Sequence, residues 1–236
     1  ESLGTWIGFE TNGVFSYEDF DDDGALIDNS FGTPSNVNSN SIPKLGDVKY
    51  VDQNNDGIID DNDRTIIART PPKHFGSMDN DFSYRGFNLG VFITYKYGFD
   101  VINGNKHRMV ATGYDQFNKT ADLANHWTPE NTNTNVPRAD YKDFNFTDRF
   151  VEDGSFVRLQ SVNLSYNLPN EIVKNIGVKS LKIYTNIDNL YIWTKYSGYD
   201  PDVSVARGQQ ALITPNLDYG AYPRTLNVTL GVNVKF

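Results

Sequence analysis

The amino-acid sequence predicts an all-β fold and, within that class, one part of a large transmembrane β-barrel. Three observations carry the prediction. Several segments alternate apolar and polar residues with a period of two, the mark of a strand with unlike faces. These segments run ~9–13 residues, longer than the ~5–6 of an ordinary strand and near the length that crosses a bilayer when tilted. The connections are alternately short and long, as in an outer-membrane barrel with periplasmic turns and extracellular loops.

Composition narrows the possibilities. The chain has 236 residues, enough for one or two domains. Aromatics reach 14%, and Asn and Asp are abundant, a mixture that favours strands and turns over helices. A net charge of −9 argues against nucleic acid as a partner. There is no cysteine, hence no disulfide framework and no thiolate site. No run of 18 apolar residues exists, so no transmembrane helix is expected. The mean hydropathy of −0.52 is compatible with a barrel, because such strands hide their apolar face in alternate positions. The chain begins at Glu1 without Met or a signal peptide, so the sequence is expected to be processed or a piece of something longer.

In chain order, residues 1–72 come first and are expected outside the cell, ahead of the first strand. HFGSMDNDFSY follows, with Met78, Phe82 and Tyr84 opposing Ser77, Asp79, Asp81 and Ser83. Arg85-Gly86 makes a tight turn into FNLGVFITYKY, where Phe87, Leu89, Val91, Ile93, Tyr95 and Tyr97 share a face. A long loop, 98–154, leads to SVNLSYNL, with Val162, Leu164 and Tyr166 on one side. LPNEIVKNIGV is a short connection with about one helical turn. LKIYTNIDNLYIW sets Leu181, Ile183, Ile187, Tyr191 and Trp193 against Lys182, Asn186 and Asp188. The long loop 194–223 precedes LNVTLGVNVKF, whose alternation is unbroken to Phe236. Residues 73–236 thus supply about five long antiparallel strands, too few to close a barrel. They read as the last strands of a bigger one, because lipid does not tolerate open edges. A soluble β-sandwich also alternates and is the competing reading.

Strand-end rings such as Tyr97, Tyr191 and Trp193 are expected in the aromatic girdle. Lys182 should face the lumen. Arg158 nominally shares the lipid face and is expected above the membrane at the strand's extracellular end; a bulge near 160–161 that flips the phase is the other possibility.

The sharpest local motif is DQNNDGIIDDND at 52–63. Asp52, Asn54 and Asp56 fall at loop positions 1, 3 and 5, and Gly57 at the sharp turn. Ile58 would offer its carbonyl, Asp60 would bind through water, and Asp63 closes the loop where Glu is usual. Hard oxygen ligands at this EF-hand spacing suit Ca²⁺. The flanks do not read as two helices, so a lone structural calcium loop is expected, with Ile59 pinning it to its neighbours. An Asn/Asp/Gly-rich turn without an ion is the alternative. His74, His107 and His126 lack metal-ligand spacing and read as polar surface. The carboxylates Asp21, Asp22, Asp23, Asp140, Asp143, Asp200 and Asp202 read as solvated loop charge, and no catalytic motif is present, so no enzyme is expected. The loop rings Tyr114, Phe117, Trp127, Tyr141, Phe144, Phe146, Tyr196, Tyr199 and Tyr219 could stack on sugar faces or pack the loops together.

Several segments taken together resemble the C-terminal part of SusC/RagA-type TonB-dependent outer-membrane transporters. They are GDVKYVDQNNDGIIDDNDRTII at 46–67, PPKHFGSMDNDFSYRGFNL at 71–89, WTPEN at 127–131, DGSFVRLQSVNLSYNLP at 153–169, NIDNLYIWTKYSGYDPDVS at 186–204 and DYGAYPRTLNVTLGVNVKF at 218–236. IIARTPPKHFGS departs slightly from the family pattern. The resemblance implies a barrel of about twenty-two strands. It also implies the remainder of the barrel and a plug, a TonB partner reached through that plug, a SusD-like surface lipoprotein, and import of oligosaccharides or peptides across an outer membrane. Two readings stay open beside it: a secreted, calcium-stabilised all-β glycan-binding or adhesion module, and a siderophore-type TonB-dependent receptor.

Overall fold

Side chains alternating with a period of two build a five-stranded antiparallel sheet in this computed structural model, which describes residues 4–34, 42–110, 118–142, 145–175, 177–205 and 215–236. Its strands are β1 (His74–Tyr84), β2 (Phe87–Tyr97), β3 (Phe156–Asn167), β4 (Ser180–Thr194) and β5 (Asn227–Lys235). They pair in the order β5-β4-β3-β2-β1, a meander of sequence neighbours. The sheet belongs to one compact unit of residues 71–99, 153–202 and 222–236.

The β1–β2 turn has two central residues with positive φ, Arg85 at 46° and Gly86 at 88°. That is the type I′ geometry whose twist matches the flanking strands. A Cβ on Gly86 would sit 2.8 Å from the Asn167 carbonyl oxygen. Gly86→Ala is therefore expected to cost about 1–3 kcal/mol, read as a lowered urea midpoint with the strand pairing retained. Between β3 and β4 the chain forms the short helix Asn170–Asn175, anchored by the buried Val173.

Cross-strand register defines two faces. Leu89, Leu164, Val91 and Val162 align across β2 and β3. Ile183 and Ile187 continue the row on β4 and meet Val232 and Val228 on β5. Phe82 and Met78 extend it on β1. Phe82 is 60% exposed and Leu230 79%, although both are wholly apolar. Opposite them lie Asp79, Asp81, Asn88, Asn163, Asn186, Asn227, Thr229 and Asn233. Lys182 is on this polar face, aligned with Asn167 and Asn233, as the alternation predicts.

One residue breaks the phase. Leu159 aligns with Ile93 and Tyr191, while Ser161 aligns with Phe92 and Asp188. Gln160 is thus an extra residue, a β-bulge, and Asn189 opposite it takes a positive φ of 54°. The insertion moves Val157 and Leu159 onto the apolar face and Phe156 and Arg158 onto the polar one. The expectation that Arg158 shares the apolar face above the membrane is corrected here. The bulge, and not the height of the residue, takes its charge away from the apolar side.

The other compact unit comprises residues 1–70, 100–152 and 203–221. Residues 100–152 and 203–221, the larger parts of the two long connections, therefore fold together with the N-terminal region. Val48–Val51 pairs with Thr11–Val14 and Phe31–Gly32, and Thr5–Gly8 pairs with Thr65–Arg69. One core cluster joins Phe9, Val48, Tyr50, Ile59 and Tyr141, and another joins Trp6, Ala68 and Ile102. Among the predicted surface histidines, His107 is a correction. It is buried against the rings of Phe146 and Phe150, because its short helix Gly104–Val110 packs inward at that position.

Candidate functional site

Two features of the structure bear on function: the two-faced sheet and the 52–63 loop. On the apolar face, rings gather at both strand ends. Phe87 and Tyr166 pack at 4.3 Å at one end, beside Tyr84. Tyr191 and Trp193 pack at 4.8 Å at the other, where Trp193 aligns through Val157 with Tyr95. Ten residues separate Phe87 from Tyr97; at ~3.4 Å each and a tilt near ~40°, the face spans about 26 Å, close to the ~25 Å apolar band of outer-membrane barrels. On the polar face, the Tyr184 ring covers Gly231 across the β4–β5 pair, where a Cβ would collide with it.

At the extracellular-type end of the polar face lies an ion network that sequence reading missed. Arg158 donates from Nη2 to Oδ1 of Asp200 at 2.6 Å, and both side chains are buried. Lys96, also on the polar face, donates to Oδ1 of Asp202 at 2.6 Å, while Arg224 Nη2 donates to Oδ2 of Asp202 at 2.6 Å. Arg224 Nε reaches Asp200 at 3.8 Å. The Asp202 N–H donates to Asp200 Oδ1, which closes the Asp-Pro-Asp segment on itself. Burial pushes the Asp202 carboxyl up, but Lys96, Arg224 and Arg158 outweigh it and hold the group below its ordinary 3.8. Asp200 and Asp202 are thus not solvated loop charge. The signal for this was only a charge count, since no spacing rule links 96, 158, 200, 202 and 224.

In the 52–63 loop, the chain places its carboxylates mainly on backbone donors. Asp52 accepts the N–H groups of Asn55 and Gly57 at 2.7 Å each. Asp56 accepts from Ile58 N, and Asn54 Oδ1 accepts from Asp56 N. Asp63 accepts from Gln53 N and Asp60 N at 2.9 and 2.8 Å. Asp60 caps the 3-10 turn Asp61–Asp63 by accepting from Asn62 N. Gly57 turns with φ of 81°. Ile59 is buried in the core cluster with Phe9, Val48, Tyr50 and Tyr141, so the loop is pinned from beneath. The Ile58 side chain itself is exposed.

Asp52 and Asp63 are 4% and 0% exposed. Burial pushes Asp52 up, yet the N–H groups of Gly57, Asn55 and Asp56 and the Asp63 side chain together hold it below 3.8. Among the described residues, neither carboxylate forms an ion pair with a basic side chain. Nor do three His, Cys, Asp or Glu residues converge into a metal cluster among the described residues.

Of the loop rings, Trp127, Tyr141 and Tyr196 are buried and pack the structure, while Phe146, Tyr199 and Tyr219 are exposed. Tyr114, Phe117 and Phe144, with Asp143, lie outside the described residues.

Comparison with known proteins adds independent observations. No protein-family model matches the chain. It is 32% identical to the TonB-dependent receptor P3 of Formosa agariphila, a match covering 100% of this chain and 22% of the relative. It is 33% identical to the TonB-dependent receptor P26 of the same organism over 81% of this chain and 20% of the relative. To the TonB-dependent receptor SusC of Bacteroides thetaiotaomicron it is 22% identical over 98% of this chain and 20% of the relative. Among solved structures, the RagAB peptide transporter superposes with a TM-score of 0.73 at 23% identity, covering 99% of this chain and 24% of that one. The RagAB peptide importer in its open-open state gives a TM-score of 0.70 at 22% identity over 99% of this chain and 23% of that one. These structural likenesses show the fold. The chain spans about a fifth of the length of the curated relatives it matches. Its sheet, its two faces and its sequence thus match one segment of a TonB-dependent receptor of the SusC/RagA type.

Proposed function

We propose that this chain supplies the last wall strands and outer loops of an outer-membrane importer. The whole receptor takes up oligosaccharides or peptides, draws energy through a plug and TonB, and works with a SusD-like surface lipoprotein. One observation carries the reading: a five-stranded sheet exposes a ring-bordered apolar face about as tall as the hydrocarbon layer, while its reverse is polar. The edges β1 and β5 need partner strands from the rest of the barrel. The relatives named as receptors and as a peptide importer support the transport class. The test is uptake of labelled oligopeptides and oligosaccharides by cells carrying the whole receptor, with and without TonB. TonB-dependent uptake of either cargo is expected, and uptake of neither rejects the proposal.

The 52–63 loop fits Ca²⁺ as a structural ion. Its donors are all oxygen, and the buried carboxylates Asp52 and Asp63 form no ion pair with a basic side chain among the described residues. Asp52, Asn54, Asp56, Asp63 and the Ile58 carbonyl would hold the ion, with Asp60 acting through water. Calcium there would neutralise repulsion and stiffen the core through Ile59. Titration calorimetry on chelator-treated whole receptor should give binding heat that disappears in Asp52→Asn/Asp63→Asn; no heat in the parent protein sinks the site.

A further inference from the structure

Asp47 and Arg138 lie 91 residues apart, yet Arg138 Nε donates to Asp47 Oδ1 at 2.7 Å. The Arg138 backbone N–H donates to the Gly46 carbonyl at 2.9 Å. Gly46 has a φ of 81°, and a Cβ there would lie 2.9 Å from both Arg138 Cβ and Trp127 Cε3. Residues 127–141 of the long connection therefore sit directly on the backbone that leads into Val48–Val51. Their own path is closed by the Trp127 N–H on the Val136 carbonyl and the Tyr141 N–H on the Arg138 carbonyl. Both stretches belong to one compact unit.

Val48–Val51 runs straight into the 52–63 loop, and the loop returns to the same core. Val48, Tyr50 and Ile59 are buried in one cluster with Tyr141. Residues 127–141 thus engage 46–59 twice, at Gly46–Asp47 ahead of the strand and in the core that holds Ile59. Asp47 is 1% exposed and Tyr141 3%, so neither engagement is lost without opening a packed interior. Such interiors switch between discrete arrangements and do not deform continuously. We propose that 46–63 and 127–141 open and close as one cooperative unit and, resting on the calcium reading above, that Ca²⁺ at 52–63 sets the order of this part of the long outer connection. An ion that holds Asp52 and Asp63 fixes the loop, the loop fixes Ile59, and Ile59 with Tyr141 closes the core beneath 127–141.

The test uses the whole receptor in detergent and follows amide hydrogen exchange of 52–63 and 127–141, with calcium and after chelation. Arg138→Met leaves the buried Asp47 without its cation, and Ile59→Ala opens the core from the loop side. Each variant is expected to speed exchange about tenfold in both stretches. Acceleration confined to the altered side, 127–141 in Arg138→Met or 52–63 in Ile59→Ala, overturns the joint opening. Either variant decides alone if the other does not fold.

Chelation of the parent receptor should speed exchange of 127–141 about fivefold, and because coupling is reciprocal, Arg138→Met should lower calcium affinity by a similar factor in titration calorimetry. Arg138 is a clean probe of this, since its ion pairs go to Asp47 and Asp140 and, among the described residues, to no carboxylate of the loop. Calcium heat in the parent with exchange of 127–141 unmoved by chelation overturns the ion's control and leaves the calcium site standing. No binding heat in the parent defeats the calcium site and the ion's control together.

Discussion

Arg158→Met is expected to lose about 3–5 kcal/mol of stability, the largest effect of any single substitution considered for this chain. The guanidinium is buried on the polar face and meets Asp200, itself buried, at 2.6 Å. Removing the cation leaves a carboxylate in a place with little water. Arg224 is 3.8 Å from its other oxygen and is half exposed, so it compensates only in part. The measurement is the urea midpoint of the whole receptor refolded in detergent. Pairing Arg158→Met with Asp200→Leu should recover most of the loss, because two apolar side chains replace two charges at once. A single variant with an unchanged midpoint would show that the pair is solvated in the folded receptor.

Placing Arg at Val91 should cost about 2–4 kcal/mol, whereas Asn163→Arg should cost far less. Val91 aligns with Val162 midway along the apolar face, and Asn163 aligns with Gly90 on the reverse. Both positions have the same strand environment and similar backbone pairing. Only the face differs, so the comparison isolates what each face touches. Folding yield into lipid vesicles of each variant is the readout. Equal losses at the two positions would mean that the apolar stripe does not meet lipid, and the membrane assignment would fall.

The strands were highly legible in the sequence because side-chain alternation is a local property. All five wall strands and the helical turn at 170–175 follow from periodicity and turn residues. What escaped reading was everything set by a count of one. Alternation from Phe156 to Tyr166 leaves two explanations for Arg158, height above the membrane or a bulge near 160–161, and only the register supplied by β2 and β4 decides for the bulge. Of those two, the favoured one is overturned and the bulge stands. The Asp200–Asp202 network was equally hidden, since its five members come from four separate stretches of chain and meet only after the sheet forms. His107 was misread as surface because one residue on a seven-residue helix leaves no usable period. The 52–63 loop was legible as a motif, since its ligand types and its glycine are contiguous. Its support by Ile59 against Phe9 and Tyr141 was foreseen only as a generic anchor.

The bulge at Gln160 also constrains how such receptors can diverge. The outer connections are not bound by this parity, because the wall strands do not take their register from the connections' length. Within the upper third of β3, however, removing one residue would turn Arg158 toward acyl chains and Val157 toward water in a single step. Length changes there are admissible only in twos, so this stretch of wall is expected to keep its parity across descendants whose outer loops have drifted beyond alignment.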